Sequence, residues 1–241
     1  MSLIANIATY PGRRGQSVEA IRSIAGQVDQ VNVVLNEYVF VPQELRSIPR
    51  TNFIFPRRDI KDVGKFLPPV EDDDDVFLCD DDILYPGNYV ERMMEHRARF
   101  AHMEPIVGLH GVTYSDYYEG TPRCGRLVFG FTRASDRPMI VNQLGTGTIH
   151  CKGYQMAPFA FMEGSERFVD VRFARHAKAR GYPNICVARE AQWLRQIEVE
   201  VSIFESFTAA HPLDVVQEIQ EIAGFRNIDA GLVAKLAQAP A

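Results

Sequence analysis

Three consecutive aspartates, Asp80, Asp81 and Asp82, follow directly on the apolar residues 76–79 (VFLC). The apolar run reads as a central β-strand, which would place the carboxylates at its carboxyl end, where open α/β sheets bind ligands. Like charges packed so closely repel one another unless a cation neutralises them. Alternate side chains of an extended chain share a face. Asp80 and Asp82 therefore offer a pair of hard oxygen ligands suited to Mg2+ or Mn2+, an ion that would also take oxygens from a phosphate. The alternative is a solvated acidic turn. That alternative is the expectation for the earlier four-aspartate run Asp72-Asp73-Asp74-Asp75, just before the apolar run.

The elements that must hold these carboxylates are readable on either side. Residues 3–9, 31–35, 52–55 and 75–79 are short β-rich runs, and the turn Pro11-Gly12-Arg13-Arg14-Gly15 closes the first. Val18, Ile21, Ile24, Ala25 and Val28 recur at helical spacing, as do Val90, Met93, Met94, Arg97 and Ala101 after a start near Pro86. Strands alternating with helices predict an α/β fold, a Rossmann-like and mostly parallel sheet flanked by helices. Further strands are expected at 106–112 and 185–188, with a loop and hairpin over 113–138. A helix over 166–180 presents Phe168, Val171, Ala174 and Ala177 and stops at Gly181 before Pro183. A helix carrying Leu213, Val216, Ile219 and Ile222, and a shorter one after it, form a C-terminal helical extension. The expected division is a catalytic domain over 1–195, with halves 1–112 and 113–195, and the extension over 196–241.

Composition excludes several classes. The 241 residues are 46% hydrophobic and 24% charged with a net charge of −5, which disfavours a phosphate-neutralising nucleic-acid surface. No apolar run approaches the roughly 18 residues of a membrane span, so the expected location is cytoplasmic, with the inner face of the membrane as an option. Cys79, Cys124, Cys151 and Cys186 are scattered and read as reduced, mostly buried thiols. His96, His102 and His176 read as helix-surface residues, whereas His110 and His150 sit near strand ends within reach of a site. Trp193 reads as a core or interface residue.

The strand followed by Asp80-Asp81-Asp82 resembles the DxD motif of GT-A glycosyltransferases. The likeness extends to Ile7-Ala8-Thr9-Tyr10-Pro11-Gly12-Arg13 and to Gln27-Val28-Asp29 leading into residues 31–36. It is similar to family-2-type bacterial enzymes that build capsules and other surface polysaccharides, and it covers most of residues 3–194. The resemblance implies a metal-dependent, hexosyltransferase-like enzyme that moves a sugar from a nucleotide-diphosphate donor, by family habit a UDP-sugar, to a glycan hydroxyl acceptor with inversion. It assigns donor binding to Thr9, Tyr10, Pro11, Arg13, Asn36, Asp62, Lys65, Asp80, Asp81, Gly147 and Thr148. Asp82 and Asp80 would hold Mn2+ or Mg2+, and Asp170 would be the general base.

The chain departs from that family's pattern at two positions. Asn36 stands where an Asp is more usual, and Val169 replaces the Glu of a Glu-Asp pair, although Arg175 and Gly181 follow at similar positions. Two rival readings remain: a sugar-phosphate nucleotidyltransferase, and a non-catalytic glycan- or nucleotide-binding protein of the same fold. The first normally carries a longer glycine-rich loop than Pro-Gly-Arg-Arg-Gly. The C-terminal helices leave room for a peripheral membrane or homo-oligomer contact. An inverting displacement requires Asp170 and the aspartates after the central strand to share one cleft.

Overall fold

The computed structural model describes residues 1–120, 125–198 and 212–224. Its centre is an eight-stranded sheet in the order β3-β2-β1-β4-β11-β6-β12-β9. The strands are β1 (Leu3–Thr9), β2 (Gln30–Leu35), β3 (Thr51–Ile54), β4 (Asp75–Cys79), β6 (Ile106–Gly108), β9 (Met139–Val141), β11 (Thr148–Lys152) and β12 (Asn184–Cys186). Only β11 and β9 oppose the other six, so the sheet is mostly parallel and Rossmann-like. Two small sheets complete it: β10 (Gln143–Leu144) with β7 (Gly111–Tyr114) and β8 (Arg126–Phe129), and β5 (Ile83–Leu84) with β13 (Arg195–Gln196).

Helices cover both faces. On one side α1 (Arg14–Ala25) and α3 (Tyr89–Arg99) bury Ile21, Ile24, Val90 and Met93 against Ala5, Ile7, Phe77 and Cys79. On the other, α4 (Phe159–Met162) and α5 (Val169–Arg180) bury Met162, Phe173 and Ala177 against Val76, Leu78 and Ile149. Residues of β4 thus alternate between two apolar layers, which is why its sequence is apolar throughout its middle. The short α2 (Gln43–Arg46) joins β2 to β3. At its end α5 closes on Gly181 in the left-handed region (φ 76°), with Tyr182 N donating to Ala177 O and Gly181 N to Lys178 O. This is the paired 6→1 and 5→2 pattern that glycine makes easy.

The C-terminal helix α6 (Leu213–Ile222) packs on α5. Val215, Ile219 and Ile222 join Val171 and Ala174 in a third apolar cluster, and Arg172 and Arg175 pair with Glu218. The shorter helix expected after it, like Cys124 and His211, lies outside the described residues. The halves 1–112 and 113–195 share one sheet, because β11 from the second pairs directly with β4 from the first. The single strand expected over 106–112 is two strands, β6 and β7, broken at Leu109 and His110.

Some side chains sit elsewhere than their sequence context suggests. His96 and His176 are buried, the latter stacked on Phe173 at 6.3 Å, while His102 is exposed. Asp74 and Asp75 are buried, Asp74 accepting from Ser2 N and Glu71 N, so of the four aspartates expected on an exposed turn only Asp72 and Asp73 face water. Cys79, Cys151 and Cys186 are buried free thiols, as expected. Trp193 packs on Tyr89 at 5.9 Å with Arg92 over its ring.

Candidate active site

Strand order decides where the site lies. From β1 the chain runs outward through β2 and β3, then returns to place β4 on the opposite side of β1. The carboxyl ends of β1 and β4 therefore flank a topological switch point, where outgoing loops diverge and leave a crevice. Thr9 and Tyr10 end β1, and Asp80, Asp81 and Asp82 end β4.

Two cations meet the aspartates. Arg13, buried at the entrance to α1, donates from Nη1 to Asp82 Oδ2 at 2.8 Å and lies 3.9 Å from Asp81 Oδ1. Lys65, with its side chain 3% exposed, donates to Asp80 Oδ1. Its ammonium also faces Thr146 Oγ1 and Thr146 O, at 3.4 and 3.5 Å. Burial opposes the charge on Lys65, but Asp80 beside it outweighs burial and the pKa is raised.

Lys65 is placed by a feature that the sequence does not announce. It belongs to the 3-10 turn Lys61–Phe66, which lies flat on β1 and β2 because Gly64 has no side chain: a Cβ there would come within 2.9 Å of Val34. An asparagine ladder runs under the turn. Asn52 donates to Asn32, Asn32 to Asn6, and Asn6 to the Lys65 carbonyl at 2.9 Å. Paired register across β3, β2 and β1 lines up the three amides on one face.

The other wall is the turn before β11. Thr148 pairs with Cys79, and Thr148 N donates to Gly145 O, so Thr146 and Gly147 form the tip above Asp80. The approach is close enough that a Cβ on Gly147 would lie 2.0 Å from Asp80 Oδ2. Buried Tyr85 clamps the two segments, accepting from Asp80 N and donating to Gly147 O, each at 2.8 Å. Thr146 then reaches α5: its N–H and its hydroxyl both donate to Asp170 Oδ1, at 2.8 and 2.7 Å. Asp170 stands in the first turn of α5, where the helix dipole favours an anion.

Hydrogen bonds and ion pairs thus link Asp80, Lys65, Thr146 and Asp170 in one cluster, with Asp82 and Arg13 beside them. Asp62, in the same turn as Lys65, accepts from Arg167 N at 3.0 Å just before α5. Burial pushes its pKa up to about 6, and burial pushes Asp81 up to about 7, with the Thr9 hydroxyl opposing the shift. Asp82 is raised by burial and by repulsion from Asp80, with Arg13 opposing. Five carboxylates, those of Asp62, Asp80, Asp81, Asp82 and Asp170, share the crevice with Lys65 and Arg13.

Other assigned residues serve the walls. Asn36 is buried with its amide engaged by Ile60 N and Lys61 O, so it shapes the loop after β3 rather than presenting a free edge. The Thr148 hydroxyl is buried and accepts from Leu109 N and His110 N, which leaves Thr146 as the threonine of the Gly145-Thr146-Gly147-Thr148 run that faces the crevice. Pro11 is exposed at the start of the 3-10 turn Pro11–Arg13, and the Tyr10 ring packs over Gly12. His110 lies against Gly145, with Asp170 and Asp80 in its electrostatic surroundings, and burial lowers its pKa. His150 does not reach the site. It is stacked on Phe77 and bonded to Asp75 in the core.

Three contributors were not assigned from sequence. Tyr85 carries no motif of its own, Thr146 lies in the Gly145-Thr146-Gly147-Thr148 run of which only Gly147 and Thr148 were assigned, and Gln196 comes from the far end of the domain. The β13 segment runs beside Asp82, with Ile197 N donating to Asp82 O at 2.7 Å and Gln196 Nε2 lying 3.5 Å from Asp82 Oδ2. Among the described residues no cluster of three or more His, Cys, Asp or Glu side chains is arranged to hold a metal ion. Asp80 and Asp82 are nevertheless hard oxygen donors in a crevice with surplus negative charge.

A separate open cavity of about 350 Å3 lies between α3 and residues 134–136 and 188–190. Its arginines, Arg92, Arg99 and Arg189, are matched by Glu95, Asp136 and Glu190. Among the described residues no helix is long and apolar enough to cross a membrane.

No family model matches the chain, and no curated protein matches it. Among solved structures it is similar to mannose-6-phosphate isomerase from Helicobacter pylori, at 11% identity and a TM-score of 0.38, over 78% of this chain and 87% of that one.

Proposed function

We propose that this protein is a GT-A glycosyltransferase that transfers a sugar from a nucleotide-diphosphate donor, with UDP as the first nucleotide to test, to a hydroxyl of a glycan. The observation that carries the reading is the surplus of carboxylates at the switch point. Among the described residues, the carboxylates of Asp62, Asp80, Asp81, Asp82 and Asp170 set against Lys65 and Arg13 are an arrangement that a bare diphosphate would not approach, but a diphosphate carrying a divalent cation would.

Roles follow from position. Asp82 and Asp80 would hold Mg2+ or Mn2+, which supplies charge neutralisation for a leaving diphosphate. Arg13 and Lys65 keep the aspartates from repelling each other before the donor arrives. Thr9, Tyr10 and the loop behind Asn36 line the side where a base and ribose would lie. Asp170 takes the proton of the attacking hydroxyl. Fixed charges that need not reorganise during the reaction are the largest usual contribution to such a step.

The test is thermal unfolding with UDP, GDP, dTDP, CMP or ATP, each with and without Mn2+, followed by sugar-transfer assays with the nucleotide that binds. A ligand that binds only the folded state raises the melting temperature. Metal-dependent stabilisation by one nucleoside diphosphate, lost in Asp82→Ala, is the expected outcome. Absence of any shift in folded protein would sink the reading. Pyrophosphate release from a nucleoside triphosphate and a sugar phosphate would replace it with nucleotidyl transfer.

A further inference from the structure

Thr146 makes two hydrogen bonds to one oxygen. Its N–H and its O–H both end on Asp170 Oδ1, and among the described residues no donor reaches Oδ2. A carboxylate oxygen that accepts two bonds is stabilised as an anion and is the poorer proton acceptor of the pair. Direction along the chain is also defined. A lysine ammonium can only donate, so with its proton given to Asp170 the Thr146 hydroxyl presents lone pairs to Lys65 Nζ. The same ammonium holds Asp80.

We propose that Thr146 is a positioning residue that turns Asp170 so that Oδ2 receives the proton, and that Lys65 ties this orientation to the donor-holding Asp80. This rests on the glycosyl-transfer reading and deepens it. In the step itself the acceptor O–H bond breaks and its proton goes to Asp170 Oδ2. The hydroxyl oxygen forms the new bond to the anomeric carbon, and the bond to the diphosphate breaks with its electron pair leaving on the diphosphate. The titratable groups around Asp170 are Lys65 and Asp62 from the 3-10 turn, Asp80 after β4, His110 after β6 and Tyr114 on β7. A single lost hydrogen bond is read against that unchanged background.

The experiment compares Thr146→Val, which keeps the shape and the N–H but removes the hydroxyl, with Thr146→Ser, which restores it. Thr146→Val should lower kcat by about 10- to 100-fold, a fraction of what a general base supplies, while donor KM stays within about twofold. The acid limb of its kcat/KM profile should move to higher pH, because one bond favouring the charged carboxylate is gone. Thr146→Ser should return both to near wild type. An unmoved profile in Thr146→Val, or a serine variant as impaired as the valine variant, overturns the proposal. A second readout is independent of activity and of the valine variant's folding: the Thr146 amide proton resonance should shift upfield in Asp170→Asn. An unmoved resonance overturns the geometry whatever the enzyme does. A wild type that transfers no sugar while this resonance does shift would instead sink the glycosyl-transfer reading and leave the hydrogen-bond geometry standing.

Discussion

The two ends of β4 carry similar acidic sequences and opposite physics. At the amino end Asp74 accepts backbone N–H groups, and Asp75 is held by His150 at 2.9 Å and Lys152 at 2.9 Å, with its side chain 3% exposed. Burial resists the charge on Asp75, but those partners outweigh it and lower the pKa. At the carboxyl end burial raises Asp81 and Asp82, and Arg13 does not offset it. The fold satisfies its own charges where it needs stability. At the other end the carboxylates outnumber the cations among the described residues, and the proposed donor site rests on that surplus.

That contrast breaks most visibly if variants at the two ends behave alike. Asp82→Ala should reduce transfer by about 10²–10³-fold, the usual scale for removing an electrostatic partner of the transition state. Its melting temperature should stay close to wild type, because Asp81 remains near Arg13. Asp75→Ala should do the reverse. Removing one partner of a buried ion pair costs about 3–5 kcal/mol, so thermal unfolding should shift down by roughly 10 °C or more, with kcat of the folded fraction retained. A stable Asp75 variant, or an unstable Asp82 variant, would contradict the division of labour.

Gly147→Ala sharpens the comparison at the site itself. The added methyl group would collide with Asp80 Oδ2, so Mn2+- and nucleotide-dependent stabilisation should fall at least tenfold in apparent affinity, as titrated by melting temperature. Full affinity in this variant would show that Asp80 is not where the donor is held.

Protonation gives a smaller and signed effect. Asp81 has its pKa raised to about 7 from an ordinary value near 3.8. The folded state therefore holds this proton more tightly than the unfolded chain. The stability that this contributes is full below about pH 4 and is lost as pH rises towards 7. Asp81→Asn should accordingly raise the melting temperature at pH 8 relative to wild type and leave it unchanged at pH 4. A uniform offset at both values would refute the assignment. The smallest effect is expected at the exposed Asp72, where substitution by Asn should change stability by no more than about 0.5 kcal/mol.

Much of the frame was legible from residue patterns. Residues 3–9 and 75–79 form strands as expected, the α5 stop at Gly181 is where glycine and proline place it, and the second aspartate run does follow directly on a central strand. The site was legible only where residue type forces chemistry, as with three adjacent carboxylates. Thr146 was not distinguishable from Thr148, because which of two threonines faces the crevice depends on a one-residue register against Cys79. The asparagine ladder was hidden for a related reason: its members are 20 to 26 residues apart and meet only once the strands pair.

By itself, then, the sequence determined the local elements, the alternation of strand and helix, and the placing of an acidic cluster at a strand end, since these depend on spacing within a few residues. Tertiary structure alone decided which carboxylates are neutralised. Lys152 reaches Asp75 across 77 positions and Arg13 reaches Asp82 across 69, and such pairings are fixed by sheet order and register. Charge balance is a property of three-dimensional neighbours. It separates an acid that holds the fold together from one that, under the proposed function, waits for a ligand.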